Sequence, residues 1–337
     1  MEDSSAAPTR FEVQDALNSV WKDSERGRRI TVSRERVIPR NAKVFAMGSC
    51  FAVEIRRALR AAGCDVYPKY LEMKFDRAVH SPGRLPDRDN INHYDTFVIR
   101  QEIERAVARR PVDPESFWRL SAQLPRRKRW KEVWQNPLHR QVYASSREEL
   151  VCLSHQLDDC IADGLAAAEI VIISLGITEC WRSRTTGQYV CLGPSTDDDE
   201  TASWLEFHPS GFAENLANIR ATLEAIWRTW PDKRIVLTVS PVALARTHTN
   251  QDIVVANSAI KATLRAAVAE ICREFPSVIY WPSYEFATSH DSFKEDGRHV
   301  RDDTVQAIVA AFLDAHLADP RDQPQETGQS VRHLEES

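Results

Sequence analysis

The stretch Ala42-Lys43-Val44-Phe45-Ala46-Met47-Gly48-Ser49-Cys50-Phe51-Ala52-Val53-Glu54-Ile55-Arg56-Arg57-Ala58-Leu59 changes its hydrophobic period halfway along. Residues 42–47 form a short apolar run that ends at a glycine, the pattern of a buried strand, whereas 53–59 places its apolar residues at helical spacing. Comparable apolar runs recur at 65–67, 170–175, 234–240 and 278–281. They alternate with helical patterns at 51–62, 98–108, 147–166, 210–228, 254–274 and 302–316. This alternation predicts a three-layer α/β fold, a doubly wound and mostly parallel sheet with helices on both faces. Sites in such sheets form beyond the carboxyl ends of the strands, where Cys50, Thr178, Ser240 and Tyr284 would emerge.

The chain has 337 residues, 42% hydrophobic and 28% charged, enough for one large core or two modest ones. Polar tails at 1–10 and 319–337 are expected to be disordered, leaving 11–318 as one domain. Within it, about 84–146 breaks the repeat: Pro86, Pro111, Pro114, Pro125 and Pro137 fall there without a clean strand. That segment reads as an irregular, helical insertion, either a lid or substrate platform or a structural excursion.

A net charge of −5 gives no general attraction to nucleic acid, and no apolar stretch reaches the length of a membrane span. The start lacks the basic and apolar segments of a secretory signal. Seven cysteines, an odd number without a C-x-x-C pair, fit reduced thiols, no metal site and a cytoplasmic location. No dinucleotide, P-loop or zinc-protease motif is present, so no cofactor is expected. The basic run Arg126-Arg127-Lys128-Arg129-Trp130-Lys131 reads as a solvated face, with binding of an anionic polysaccharide as the alternative.

Chemistry concentrates at two places. Ser49 and Cys50 are adjacent nucleophile candidates at a strand-to-helix turn, where free N–H groups and the helix dipole favour a thiolate and an oxyanion. Far along the chain, Asp296-Gly297-Arg298-His299 sets a carboxylate three residues before a histidine. The carboxylate can hold one imidazole nitrogen while the other takes a proton. His93, His208, His248 and His290 are the competing histidines.

These motifs resemble the GSCFA-domain family, named for the pentapeptide at 48–52 and similar in turn to SGNH/GDSL-type hydrolases. The resemblance spans about residues 35 to 318. Besides Gly48 to Ala52 it rests on His93-Tyr94-Asp95-Thr96-Phe97 with 99–102, Ser174-Leu175-Gly176-Ile177-Thr178-Glu179-Cys180-Trp181, 237–242, Ala256-Asn257 with Lys261, 282–285, and Asp296 to His299. Laid over the Gly-Asp-Ser of SGNH enzymes, Gly48-Ser49-Cys50 puts Cys50 at the nucleophile position. The alternative is Ser49, with Cys50 buried behind it. The resemblance implies His299 as general base, Asp296 as its orienting partner, and Thr178 in place of the oxyanion asparagine. Gly48, Gly176, Glu179, Trp181, Ser240, Asn257 and Arg298 are the expected substrate-side residues. Glu179 is expected to orient a substrate hydroxyl or to pair with Arg298. Asn257 and Lys261, four apart on one helix face, line the pocket or face solvent.

The implied activity is acyl transfer through a covalent Cys or Ser intermediate, as an O-acyl esterase (a hydrolase) or an O-acyltransferase. The implied substrate is a small molecule or glycan, such as an acylated polysaccharide, with an acyl donor such as acetyl-CoA in the transferase case. The alternative is a non-catalytic scaffold that keeps the fold and binds a glycan or protein. Oligomeric state is not legible in the sequence.

Overall fold

Alternation of side chains across β-strands decides how the layers assemble. In 43–48, Val44 and Ala46 point to one side of the sheet while Phe45 and Met47 point to the other, and all four are buried. The computed structural model describes residues 10–14, 17, 21, 29–73, 91–120, 133–139, 142–191, 193, 199–289 and 292–318. Its strands are β1 (Arg10–Gln14), β2 (Arg29–Ser33), β3 (Lys43–Gly48), β4 (Asp65–Tyr67), β5 (Trp118–Leu120), β6 (Val133–Gln135), β7 (Tyr143–Ala144), β8 (Ile170–Leu175), β9 (Glu179–Ser183), β10 (Tyr189–Val190), β11 (Leu205–Pro209), β12 (Arg234–Val239) and β13 (Ile279–Trp281). Its helices are α1 (Phe51–Ala61), α2 (Thr96–Val107), α3 (Arg147–Ala167), α4 (Asp199–Ser203), α5 (Phe212–Thr229), α6 (Ile253–Glu274), α7 (Ser283–Thr288) and α8 (Asp302–His316).

The central sheet runs β4-β3-β8-β12-β13 with every neighbouring pair parallel. On one face Val44, Ala46, Ile170, Ile172 and Val236 pack with residues of α1, α7 and α8. On the other, Phe45, Met47, Val171, Ile173, Ile235 and Leu237 pack with α2, α3, α5 and α6. The result is the three-layer, doubly wound α/β architecture that the alternation predicts. In register, Gly48 stands opposite Ser174 and Val239 opposite Leu175, so the carboxyl ends of β3, β8 and β12 meet at one edge.

The expected insertion is more regular than its sequence implies. Its described part holds α2, and β5, β6 and β7 form a three-stranded antiparallel sheet. Strands of two or three residues show too little alternation to stand out among prolines. A second antiparallel sheet, β10-β9-β11, follows the end of β8 and was also missed. The tails expected to be disordered lie outside the described residues, apart from Arg10, the first residue of β1. No helix among the described residues is long and apolar enough to cross a membrane.

Candidate active site

Gly48 ends β3 at φ 124°, and a Cβ there would stand 2.1 Å from the Ser174 carbonyl oxygen. Only glycine allows β3 to come this close to β8 before the chain turns into α1. Ser49 follows with its N–H donating to Ser174 O at 2.8 Å and its Oγ 2.8 Å from Ser174 Oγ. The Phe51 N–H donates to the Ser49 Oγ at 3.3 Å. Ser49 is therefore buried and engaged on two sides. Cys50 is the N-cap of α1, and its side chain is only partly buried.

Both residues border a cavity of about 330 Å³ at the carboxyl edge of the sheet. Of the expected site residues, Ser49, Cys50, Gly176, Glu179, Trp181, Ser240 and Arg298 line it. Arg298 comes from the 292–300 loop, so one residue of the Asp296–His299 block borders the same space as the first strand end. Gly48, Thr178, Asn257, Asp296 and His299 are not among the lining residues.

The Asp296 block is a compact turn. Asp296 Oδ1 accepts from the backbone N–H groups of Arg298 and His299 at 3.0 and 2.9 Å, and Gly297 takes a φ of 65°. His299 Nδ1 lies 2.5 Å from Asp296 Oδ2. Its other nitrogen, Nε2, accepts from Arg298 Nη1 at 2.7 Å. A guanidinium has no acceptor, so this contact fixes the proton on Nδ1 and the lone pair on Nε2. The bond from His299 and the two backbone donors hold the Asp296 carboxyl below the usual range. The His299 side chain is 52% exposed.

Around the thiol, electrostatics are mixed. Burial pushes Cys50 up, and Arg298, Lys261 and the cysteine's own backbone N–H pull it back part of the way. Lys261 is fully buried, neither lining the cavity nor facing solvent. Its Nζ donates to Gly176 O at 2.8 Å and Val242 O at 2.9 Å, two residues of the cavity wall. Burial lowers it to about 7, against the pull of the Cys50 charge.

Several of the other expected residues already have partners within the protein. The Glu179 carboxylate accepts from Thr247 Oγ1 at 2.6 Å and from the His248 N–H at 2.8 Å, not from Arg298. Asn257 Oδ1 accepts from the Leu244 N–H at 3.0 Å, bracing the loop that lines the cavity. Thr178 is buried, and its carbonyl accepts from Ser210 N and Oγ. The N–H groups of Gly176 and Ile177 both donate to Tyr94 O, so neither is available to an oxyanion. Trp181 lines the cavity with its ring edge-to-face on His248 at 4.8 Å. His208 pairs with Glu214 at 2.7 Å; His290 and the basic run 126–131 lie outside the described residues.

Reading the sequence missed the second histidine–carboxylate group, behind the cavity. His93, Glu102 and His139 bring ligand-type atoms within 4.8 Å of one another. The donor set does not fit a metal ion. Arg105 Nη2 already sits 2.6 Å from Glu102 Oε2. Asn136 Oδ1 accepts from the Leu138 N–H, so its Nδ2 donates to His139 Nδ1, and His139 donates from Nε2 to Glu102 at 2.9 Å. The His93 ring is fully buried without a hydrogen-bond partner among the described residues, while its backbone N–H donates to Gly48 O at 2.8 Å.

The GSCFA family model matches residues 43–312. No curated protein matches the sequence. Three solved structures are similar in fold. One is an acetyl esterase mutant crystallised with acetate ion, 12% identical, with 82% of this chain and 93% of that chain covered and a TM-score of 0.32. The second is a carbohydrate esterase family 3 protein from Talaromyces cellulolyticus, 12% identical, with coverage of 82% and 94% and a TM-score of 0.33. The third is a Clostridium thermocellum family 3 carbohydrate esterase, 11% identical, with coverage of 83% and 94% and a TM-score of 0.29.

Proposed function

The chain belongs to the GSCFA family, and from that premise we propose that it moves an acyl group through a thioester on Cys50. The observation that carries this reading is the shared cavity: Cys50 at the start of α1 and Arg298, the neighbour of His299, border one space. Ser49 is the weaker nucleophile candidate, because its hydroxyl is buried and engaged by Ser174 and Phe51. A thiol at a helix N-terminus with two cations nearby ionises more readily than a serine hydroxyl.

In the proposed cycle His299 Nε2 takes the thiol proton, with Asp296 holding Nδ1–H and stabilising the imidazolium. The sulfur attacks the acyl carbonyl carbon, forming a C–S bond. The Cys50 backbone N–H and the charge of Lys261 favour the tetrahedral oxyanion. Collapse breaks the C–O bond, and the leaving alkoxide takes the proton from His299. Water or an acceptor hydroxyl then attacks the thioester and gives its proton to His299; the C–S bond breaks, and the departing thiolate takes that proton back, restoring the thiol and the free base. Trp181 on the cavity wall offers an apolar face to a sugar ring, and an O-acylated carbohydrate is the substrate class we assign. Water as acceptor makes the protein an esterase, and a glycan hydroxyl makes it a transferase.

The test is to incubate the protein with an activated acyl ester, quench, and map the adduct by mass spectrometry. The expected result is a thioester mass at residue 50, absent in Cys50→Ala and reduced at least tenfold in His299→Ala. The Arg298 contact on His299 Nε2 is the one observation that favours a non-catalytic scaffold. No adduct at either residue 49 or 50 would select that reading.

A further inference from the structure

The cavity offers more positive than negative handholds. Arg246 and Arg298 line it, and Lys261 lies beneath its wall. Its two lining carboxylates are already occupied: Glu179 by Thr247 and His248, and Asp95 by the N–H groups of Phe97 and Val98 at the start of α2. Burial also pushes Asp95 up to about 6, which weakens it as a counter-charge. Arg298 meanwhile holds three places at once. Its Nε donates to Ala243 O at 3.1 Å, its Nη1 caps His299 Nε2, and its side chain borders the space next to Cys50. A base whose lone pair is capped accepts no proton, so His299 works only when Arg298 lets go.

We infer that Arg298 is the specificity residue for an acyl group that itself carries a carboxylate, and that binding this carboxylate draws the guanidinium off His299 and frees the base. This rests on the acyl-transfer reading above. A carboxylate is the better partner for Nη1, since a charge-assisted, bidentate contact exceeds a bond to a neutral imidazole. A neutral acyl group leaves the cap in place. One side chain thus recognises the substrate and releases the base.

The test compares p-nitrophenyl hydrogen succinate with its methyl ester, which differ in one negative charge, on wild type, Arg298→Met and Arg298→Lys. Wild type should acylate Cys50 with the anionic ester roughly 10- to 100-fold faster, the range of a hydrogen bond to a charged group. Arg298→Met should bring the ratio near one, and Arg298→Lys should keep part of it. Near-UV circular dichroism and the urea midpoint show that each variant is folded, since uncapping His299 in Arg298→Met should itself raise acylation by the neutral ester. A second readout is the Nε2 signal of His299 in 15N-histidine-labelled protein. Added succinate should move it in wild type and leave it unmoved in Arg298→Met. A wild-type ratio near one, a ratio indifferent to Arg298→Met, or an Nε2 signal blind to succinate overturns the inference while leaving acyl transfer intact. If neither ester acylates Cys50, both readings fall together.

Discussion

Two histidine–carboxylate pairs in this protein share their chemistry and differ in almost everything else. His299 and Asp296 lie on a loop at the cavity rim, with side chains about half exposed. His139 and Glu102 lie behind the cavity, at 0% and 3% exposure, with Arg105 on the same carboxylate oxygen. At the rim, water can compensate a change in protonation, so a proton can come and go. In the interior, the same change would strand a charge in a low dielectric, so the pair works as a fixed strut. The strut supports the site indirectly. His93, whose Nε2 is 3.5 Å from Glu102, donates its backbone N–H to Gly48, and the neighbouring Tyr94 carbonyl takes both the Gly176 and Ile177 N–H groups. A histidine beside a carboxylate is therefore no guide to catalysis until its solvent contact is known.

The largest effect should come from breaking the interior pair. Arg105→Met leaves Glu102 and Asp158 without the cation that bridges them at 2.6 and 3.0 Å. Losing one partner of such a buried network costs about 3–5 kcal/mol, readable by urea unfolding at pH 7. The pH dependence follows from two depressed values. Burial would raise Glu102, but Arg105 and His139 overcome it and hold the carboxyl well below its ordinary 4.5. Burial lowers His93 from 6.5. A group whose folded value lies below its unfolded one stabilises the fold above the unfolded value and loses that contribution as pH falls. Wild-type stability should therefore decline from about pH 6.5 downward, with Asp158, which burial raises, offsetting part of the loss. In Arg105→Met the share of this decline owed to Glu102 should shrink or reverse, since burial then raises its carboxyl with less opposition while the unfolded value that sets the onset is unchanged. A variant as stable as wild type at pH 7 would make the network ornamental.

Breaking the rim pair should do the reverse. Asp296→Asn removes the carboxylate that fixes the His299 proton on Nδ1. Acylation of Cys50 should fall about 100-fold or more, the scale of general-base catalysis, while the unfolding midpoint moves far less than in Arg105→Met. A collapse of the fold with acylation unchanged would exchange the roles of the two pairs.

How much of this was readable beforehand depended on the length of each pattern. All five strands of the central sheet carried enough apolar residues to be placed, and helices from 11 to 22 residues long showed their period plainly. The short strands β5–β7 did not, because two or three residues cannot display an alternation. Cys50, Arg298 and the Asp296–His299 turn were legible as motifs, since spacing along the chain sets a turn's geometry. The capping of His299 by Arg298 was not. It depends on where two adjacent side chains point, which sequence order leaves open. Spacing sets Lys261 beside Asn257 on one helix face, but the carbonyls that enclose it, those of Gly176 and Val242, come from just after β8 and β12, 85 and 19 residues away. Burial made by distant loops leaves no local trace.

Lys261 also gives the smallest and most discriminating expected effect. It belongs to neither histidine pair, yet its charge reaches Cys50, and burial has brought it to about 7, so it is only partly charged at neutral pH. Its protonated form favours the thiolate, as does Arg298, while burial of the thiol opposes both. Lys261→Met removes one of the two cations and keeps the buried stem. Alkylation of Cys50 by iodoacetamide should then slow below about pH 7, where the small thiolate fraction has lost a stabilising charge, while the midpoint, which burial holds above the ordinary 9.0, should barely move because Lys261 is neutral there. The loss should be felt mainly on the acid side of about pH 7, where Lys261 is charged in wild type, and should fade above it. Exposed Cys152 supplies the internal control, since nothing in its surroundings changes. If the Cys50 rate below about pH 7 is unchanged while Arg298→Met lowers it, the thiol is tuned from the cavity side alone, and Lys261 serves only to join the turn after β8 to the loop after β12.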